Sequence, residues 1–196
     1  MKHIFVRSLA LGLGAAVLLS FCRFNALCGE IRSSVVRLHV LANSDSEEDQ
    51  ALKLKVRDAV LQAAEGLLTG VARREEALAA VERRLPLLRQ AAADCIAREG
   101  YAYPVTVSLE KSYFTTRTYD AGTLPAGWYD ALRVTVGEGA GRNWWCVVFP
   151  PLCLGAAADT ADLEDVLDKE ACRVVEQAPR YRIRFKLVEW LEQLFG

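Results

Sequence analysis

Chemistry in this chain would have to come from a short list of side chains. His39 lies in the run Val-Val-Arg-Leu-His-Val-Leu (residues 35–41), and Cys146 and Cys153 stand with six residues between them. A Cys/His nucleophile pair would have to join Cys146 to His39, because the other histidine, His3, belongs to the N-terminal segment. No local cysteine-protease signature surrounds Cys146. In an oxidising compartment the same two cysteines would instead form a structural disulfide. Asn43-x-Asp45-x-Glu47 has the opening of a calcium loop, but Glu48 stands where glycine is needed and Leu54 where a bidentate Glu is needed. The Asp45 and Asp49 carboxylates are then most simply helix-start groups. Neither a Cys-x-x-Cys pair nor a phosphate loop or dinucleotide fingerprint occurs. The expectation is no catalytic set, no metal and no cofactor.

The compartment follows from the N-terminus. Lys2 and Arg7 precede a mostly apolar run over residues 9–21, closed by Arg23, and Ala26-Leu27-Cys28 offers small residues where a signal peptidase reads. Residues 1–28 therefore read as a signal peptide, the 13-residue run being shorter than the roughly 20 needed to span a bilayer as a helix. Removing it takes away Lys2, Arg7 and Arg23 and leaves 21 basic against 25 acidic residues, a net charge of −4. Such a domain has no electrostatic case for nucleic acid. Cys95, Cys146, Cys153 and Cys172 would remain, with three possible pairings that sequence cannot choose among; Cys146 with Cys153 closes the shortest loop.

The elements that must position these groups can be read in order. Residues 35–41 form a half-buried strand that runs into the polar cluster 42–50. Ser46 followed by Asp49 is a variant capping box, and Leu52, Val56, Val60 and Leu67 make one helical face, with Asp49, Lys53 and Arg57 on the other. A second helix is expected over about residues 71–98, with Pro86 kinking or splitting it. Strands follow over 103–109, 112–119 and 129–136, then a hairpin through Gly137, Gly139 and Gly141 into a strand over 144–149, stopped by Pro150 and Pro151. Residues 155–196 read as a helical tail whose last segment is amphipathic through Ile183, Leu187, Trp190, Leu191 and Leu194. The fold class is α+β: an N-terminal strand and two helices packed on a small antiparallel sheet, with a C-terminal helical tail.

Two stretches carry a resemblance. Leu-Ala-Asn-Ser-Asp-Ser-Glu-Glu-Asp-Gln-Ala-Leu-Lys-Leu-Lys-Val-Arg-Asp-Ala-Val (41–60) and Gly-Glu-Gly-x-Gly-Arg-Asn-Trp-Trp-Cys-Val-Val-Phe-Pro-Pro-Leu-Cys (137–153) are similar to the signature of the stage II sporulation protein R family. Residues 114–119 and 124–134 resemble that family's middle segments, so the likeness covers roughly residues 33–154, a single signalling domain.

That resemblance implies a role in endospore formation. The protein would be exported from the forespore into the space between the two membranes. There it would activate a membrane-embedded aspartic protease in the facing membrane, which cleaves the sigma-E precursor. It would then be a protein ligand rather than an enzyme, with no small-molecule substrate. The loop holding Asn43, Ser44, Asp45 and Asp49 and the turn holding Arg142, Asn143, Trp144 and Trp145 would form one recognition patch, with Arg57 at its rim and Trp and Arg as anchors. Adjacent strand residues face opposite sides, so at least one of Trp144 and Trp145 belongs to the core. The competing reading is an exported hydrolase of peptidoglycan or peptides using Cys146 or Asp45 and Asp49.

Overall fold

The computed structural model describes residues 2–119, 122–150 and 163–195. Its elements are α1 (Lys2–Ser34), β1 (Val36–Leu41), α2 (Glu47–Leu68), α3 (Arg74–Arg83), α4 (Leu85–Arg98), β2 (Val105–Phe114), β3 (Arg117–Tyr119), β4 (Gly122–Leu124), β5 (Gly127–Val136), β6 (Asn143–Phe149), α5 (Leu163–Val166), α6 (Lys169–Glu176) and α7 (Ala178–Phe195). The α+β class expected from sequence is what the chain adopts. The second predicted helix is two, because Pro86 lacks an N–H and sits in the first turn of α4, where none is needed.

The sheet is mixed rather than wholly antiparallel. Its order is β2-β5-β1-β6, with β1 parallel to β5 and antiparallel to β6. The glycine-rich turn therefore does not close the expected hairpin. Residues 137–142 step across about 10 Å, two strand spacings, and β1 fills the gap. A parallel β1–β5 pair needs a long crossover, which α2, α3, α4 and β2 supply. Among the described residues β3 pairs with β4 alone, in a separate two-stranded sheet.

All six residues of β1 are buried because both faces of the sheet are covered. On one face Leu38, Val40, Leu132, Val134 and Cys146 pack against Leu52, Val56, Val60, Leu88 and Ile96 of the helices. On the other, Phe114, Tyr129, Ala131 and Val147 meet Phe24, Cys28 and Ile31 of α1 and Ala171, Val175, Phe185 and Val188 of α6 and α7. Each Val, Leu, Ile or Phe buried here contributes about 1.5–3 kcal/mol relative to exposure. The C-terminal segment is thus packed on this domain, but not by the predicted stripe: Ile183, Leu187, Trp190 and Leu194 are exposed, while Phe185 and Val188 are buried. Helix α7 carries two apolar rows, and periodicity alone does not rank them. Helix α1 is continuous and, over His3–Ser34, long and apolar enough to cross a membrane, compatible with a signal peptide or an anchor.

Arg37 is fully buried on the second face. Its guanidinium lies 4.2 Å from the Phe114 ring centre, 4.8 Å from Tyr129 and 5.5 Å from Tyr119. It donates to the Cys146 carbonyl at 3.0 Å and the Tyr119 hydroxyl at 2.6 Å, and Nη1 has no partner among the described residues. Burial pushes its pKa down, against the pull of the two tyrosines; ring faces replace an anion as the counterweight. Replacing a buried charge by an apolar chain of similar volume is often nearly neutral, whereas truncation leaves a cavity. We therefore expect Arg37→Ala to cost about 3 kcal/mol in urea unfolding and Arg37→Met about 1 kcal/mol. Equal losses would show that the polar contacts, and not the filled volume, hold this site.

Candidate functional site

The 43–50 loop and the 137–145 turn lie side by side because their strands, β1 and β6, are neighbours. Backbone bonds sew them together: Gly141 N–H donates to Ala42 at 3.0 Å and Ala140 N–H to Asn43 at 3.2 Å. Side chains continue the seam. Asn43 Oδ1 accepts from the Glu138 N–H at 3.1 Å, and Asp45 Oδ1 from the Arg142 N–H at 2.6 Å. Two glycines are required by this closeness. Gly137 has φ +58° against the Asn43 side chain, and a Cβ on Gly141 would run into the Ser44 carbonyl.

Asp49 is the hub of the loop. It is only 4% exposed, and its Oδ2 accepts from Asn43 Nδ2 at 2.8 Å and Ser44 Oγ at 2.6 Å. Those two bonds, Ser44 first, hold its carboxyl below the ordinary value, with burial opposing. Half of the expected capping box forms: Ser46 Oγ accepts from the Asp49 N–H at 3.2 Å. The Asp49 side chain turns instead to the loop, and the Ser46 N–H donates to Ser44 Oγ at 3.2 Å.

The Asp49, Lys53, Arg57 row is not a solvated helix face. Lys53 is buried, and its Nζ donates to Gln50 Oε1 at 2.6 Å and to the Arg142 carbonyl at 2.9 Å. Burial, then the Arg142 charge, lowers its pKa. Arg57 is half-buried, its guanidinium 4.4 Å from the Trp144 ring centre. The helix start is pinned under the turn: Lys53 meets the Arg142 carbonyl and Arg57 the Trp144 ring, while Asp49 holds its own loop.

Trp144 and Trp145 point to opposite faces, both half-buried. Trp144 joins the helix-covered core, with Nε1 buried and unpartnered among the described residues. Trp145 stacks on His39 at 3.9 Å and meets Phe114 edge-on at 4.7 Å. His39 Nε2 and Asn143 Oδ1 are 2.8 Å apart. Burial depresses the His39 pKa, with the Asn143 bond opposing, so the ring is neutral near pH 7. Sequence reading missed this His39–Asn143–Trp145 group; the signal was that β1 and β6 pair, setting His39 opposite Trp145. The register also separates His39 from Cys146: Cys146 faces Leu38, on the other side of the sheet. Cys146 is moreover disulfide-bonded. Cys153, its expected partner, lies outside the described residues. Exposed at the patch are Asp45, Arg142 and Asn143, with Asn43 and Ser44 half-exposed.

The family model described as stage II sporulation protein R matches residues 32–159. The chain belongs to this family. Stage II sporulation protein R of Bacillus subtilis (strain 168) is 33% identical over 187 residues, covering 85% of this chain and 84% of that one. No solved structure matches the chain. The match spans both the 43–50 loop and the 137–145 turn, so the surface they build lies within the family's common region, and the chain's role is in sporulation.

Asp49 sets a pH dependence. A carboxyl whose folded pKa is depressed contributes stability that is complete above its ordinary value of 3.8 and lost as pH falls through the lower folded value. The thermal-unfolding gap between the native chain and Asp49→Asn should be full at pH 6 and shrink below about pH 4. A gap unchanged from pH 6 to pH 3 would contradict the assigned role.

Proposed function

We propose that this chain is an exported sporulation signal that activates a membrane-embedded aspartic protease in the facing membrane and so causes cleavage of the sigma-E precursor. Membership of the stage II sporulation protein R family supports the sporulation setting, and the apolar N-terminal helix is compatible with export. The observation that carries the reading is the joining of the two signature segments, 41–60 and 137–153, into one hydrogen-bonded surface. Its exposed groups are Asp45, Arg142 and Asn143, and half-buried Trp144 and Trp145 follow them in the chain, one on each face of the sheet. Fixed polar groups beside partly exposed aromatic rings are the composition of a protein-binding surface. The Cys146–Cys153 disulfide belongs to the same proposal: it would hold the end of β6 where the two prolines stop the strand.

The hydrolase alternative loses its nucleophile pair, since Cys146 and His39 lie on opposite faces of the sheet. Its carboxylates are committed as well, Asp49 to Asn43 and Ser44, and Asp45 to the Arg142 N–H.

Arg142 is the cleaner probe, because its side chain is 73% exposed and its 3.5 Å pairing with Asp45 is a solvent-screened surface one, whereas Asn143 is tied to His39. In a non-sporulating host making the protease, the sigma precursor and this chain, precursor cleavage should require the exported chain. Arg142→Glu should reduce that cleavage tenfold or more, about 1.4 kcal/mol of lost binding, while thermal unfolding of the purified chain stays within about 2 °C of native. Cleavage independent of this chain, or unaffected by Arg142→Glu, would overturn the proposal.

A further inference from the structure

Helix α1 meets two different solvents. From Ile4 to Leu19 its large apolar side chains are exposed, between 61% and 75% for Ile4, Phe5, Val6, Leu9, Leu11, Leu13, Val17, Leu18 and Leu19. One turn further on the same helix becomes core: Phe24 is 2% exposed, Cys28 and Ile31 0%. Phe24 stacks on Tyr181 at 5.5 Å and meets Phe185 edge-on at 5.3 Å, both on α7. Polar ties run alongside. Arg23 pairs with Glu170 at 2.6 Å, Arg32 with Glu192 at 3.2 Å, and Arg32 also donates to the Ala126 carbonyl at 3.0 Å. Glu30 Oε1 accepts from the Asp168 N–H at 3.3 Å.

We propose that α1 is retained in the exported protein as a membrane anchor whose second half is a structural helix of the folded domain. The occupant of its exposed apolar half is a lipid bilayer: counted as helix over residues 3–22 the segment reaches the roughly 20 residues a span needs, with Arg7 near its outer end able to reach the headgroups. Cleavage after Cys28 would take Phe24 and Cys28 out of the second core and leave Tyr181 and Phe185 facing the vacated space.

The geometry places the domain directly on the bilayer, because no linker separates the lipid-facing run from Phe24. Arg184 of α7 donates to Ser20 Oγ at 3.1 Å, and Arg23 lies within one turn of it. Two guanidiniums therefore stand at the level where the apolar run ends, the position of the phosphate headgroups. A retained anchor makes the signal act from the membrane that exported it. This inference rests on α1 and its packing against α6, α7 and Ala126, and is independent of what the 43–50 and 137–145 surface binds.

The test is export of the full chain from a bacterial host, followed by intact-mass analysis and alkaline carbonate extraction of the membranes. The expected product carries residues 1–28 and stays in the membrane pellet. A folded product beginning after residue 28 and free in solution would overturn the proposal. Packing is read separately on the detergent-purified full chain by thiol labelling and peptide mapping. Cys22, which is exposed, should label at least tenfold faster than buried Cys28. Equal labelling rates would show that α1 does not pack on the domain, and would overturn the proposal even if the chain were uncleaved.

Discussion

The structure depends on one pairing: β1 lies between β5 and β6, parallel to the first and antiparallel to the second. Because β1 uses the hydrogen-bonding groups of both its edges, its residues cannot shift register without breaking two ladders and swapping Leu38 and Val40 of one core with Arg37 and His39 of the other. That fixed register sets the end of β1 beside the start of β6. The 43–50 loop and the 137–145 turn are therefore neighbours by construction, though about a hundred residues apart in the chain.

What the pairing brings together, a small polar network makes rigid. Asp49 gathers Asn43 and Ser44, Asp45 takes the Arg142 amide, and Lys53 takes the Arg142 carbonyl. Each bond has a charged partner and contributes about 1.5–3 kcal/mol net, and the groups share partners, so losing one leaves another unsatisfied. A surface held this way loses little conformational freedom when it binds, the physical advantage of preorganisation. Beneath it, Trp144 is clamped by Arg57 on one face of the sheet and Trp145 by His39 on the other. The aromatic pair thus couples the recognition surface to both cores.

Much of this was legible in the sequence, and the failures have physical causes. Ser46 as a helix cap and Pro86 as a helix boundary were readable because each acts on its own neighbours in the chain. The opposition of Trp144 and Trp145 followed from the period of a strand. The insertion of β1 between β5 and β6 was not readable, since the turn 137–142 has hairpin chemistry and nothing local says that a third strand fills the gap. The same long-range fact decides what the Asp49, Lys53, Arg57 row meets, since nothing local says that the turn is laid over it. On α7 two apolar rows compete, and only the position of α1 decides that Phe185 and Val188 are the buried pair. For the candidate site, the two segments and most of their residues could be named in advance, but not His39 as the partner of Asn143.

Held this way, loop and turn form one cooperative unit. Native-state hydrogen exchange of the chain carrying Gly141→Ala tests it most directly, because the added methyl strikes the Ser44 carbonyl from the turn side. The account predicts that protection falls together at the amides of Ala140 and Arg142 in the turn and of Asp49 and Gln50 in the loop, by a similar factor, while β2 and β5 keep theirs. A loss confined to residues 138–142, with Asp49 and Gln50 exchanging as in the native chain, would contradict it.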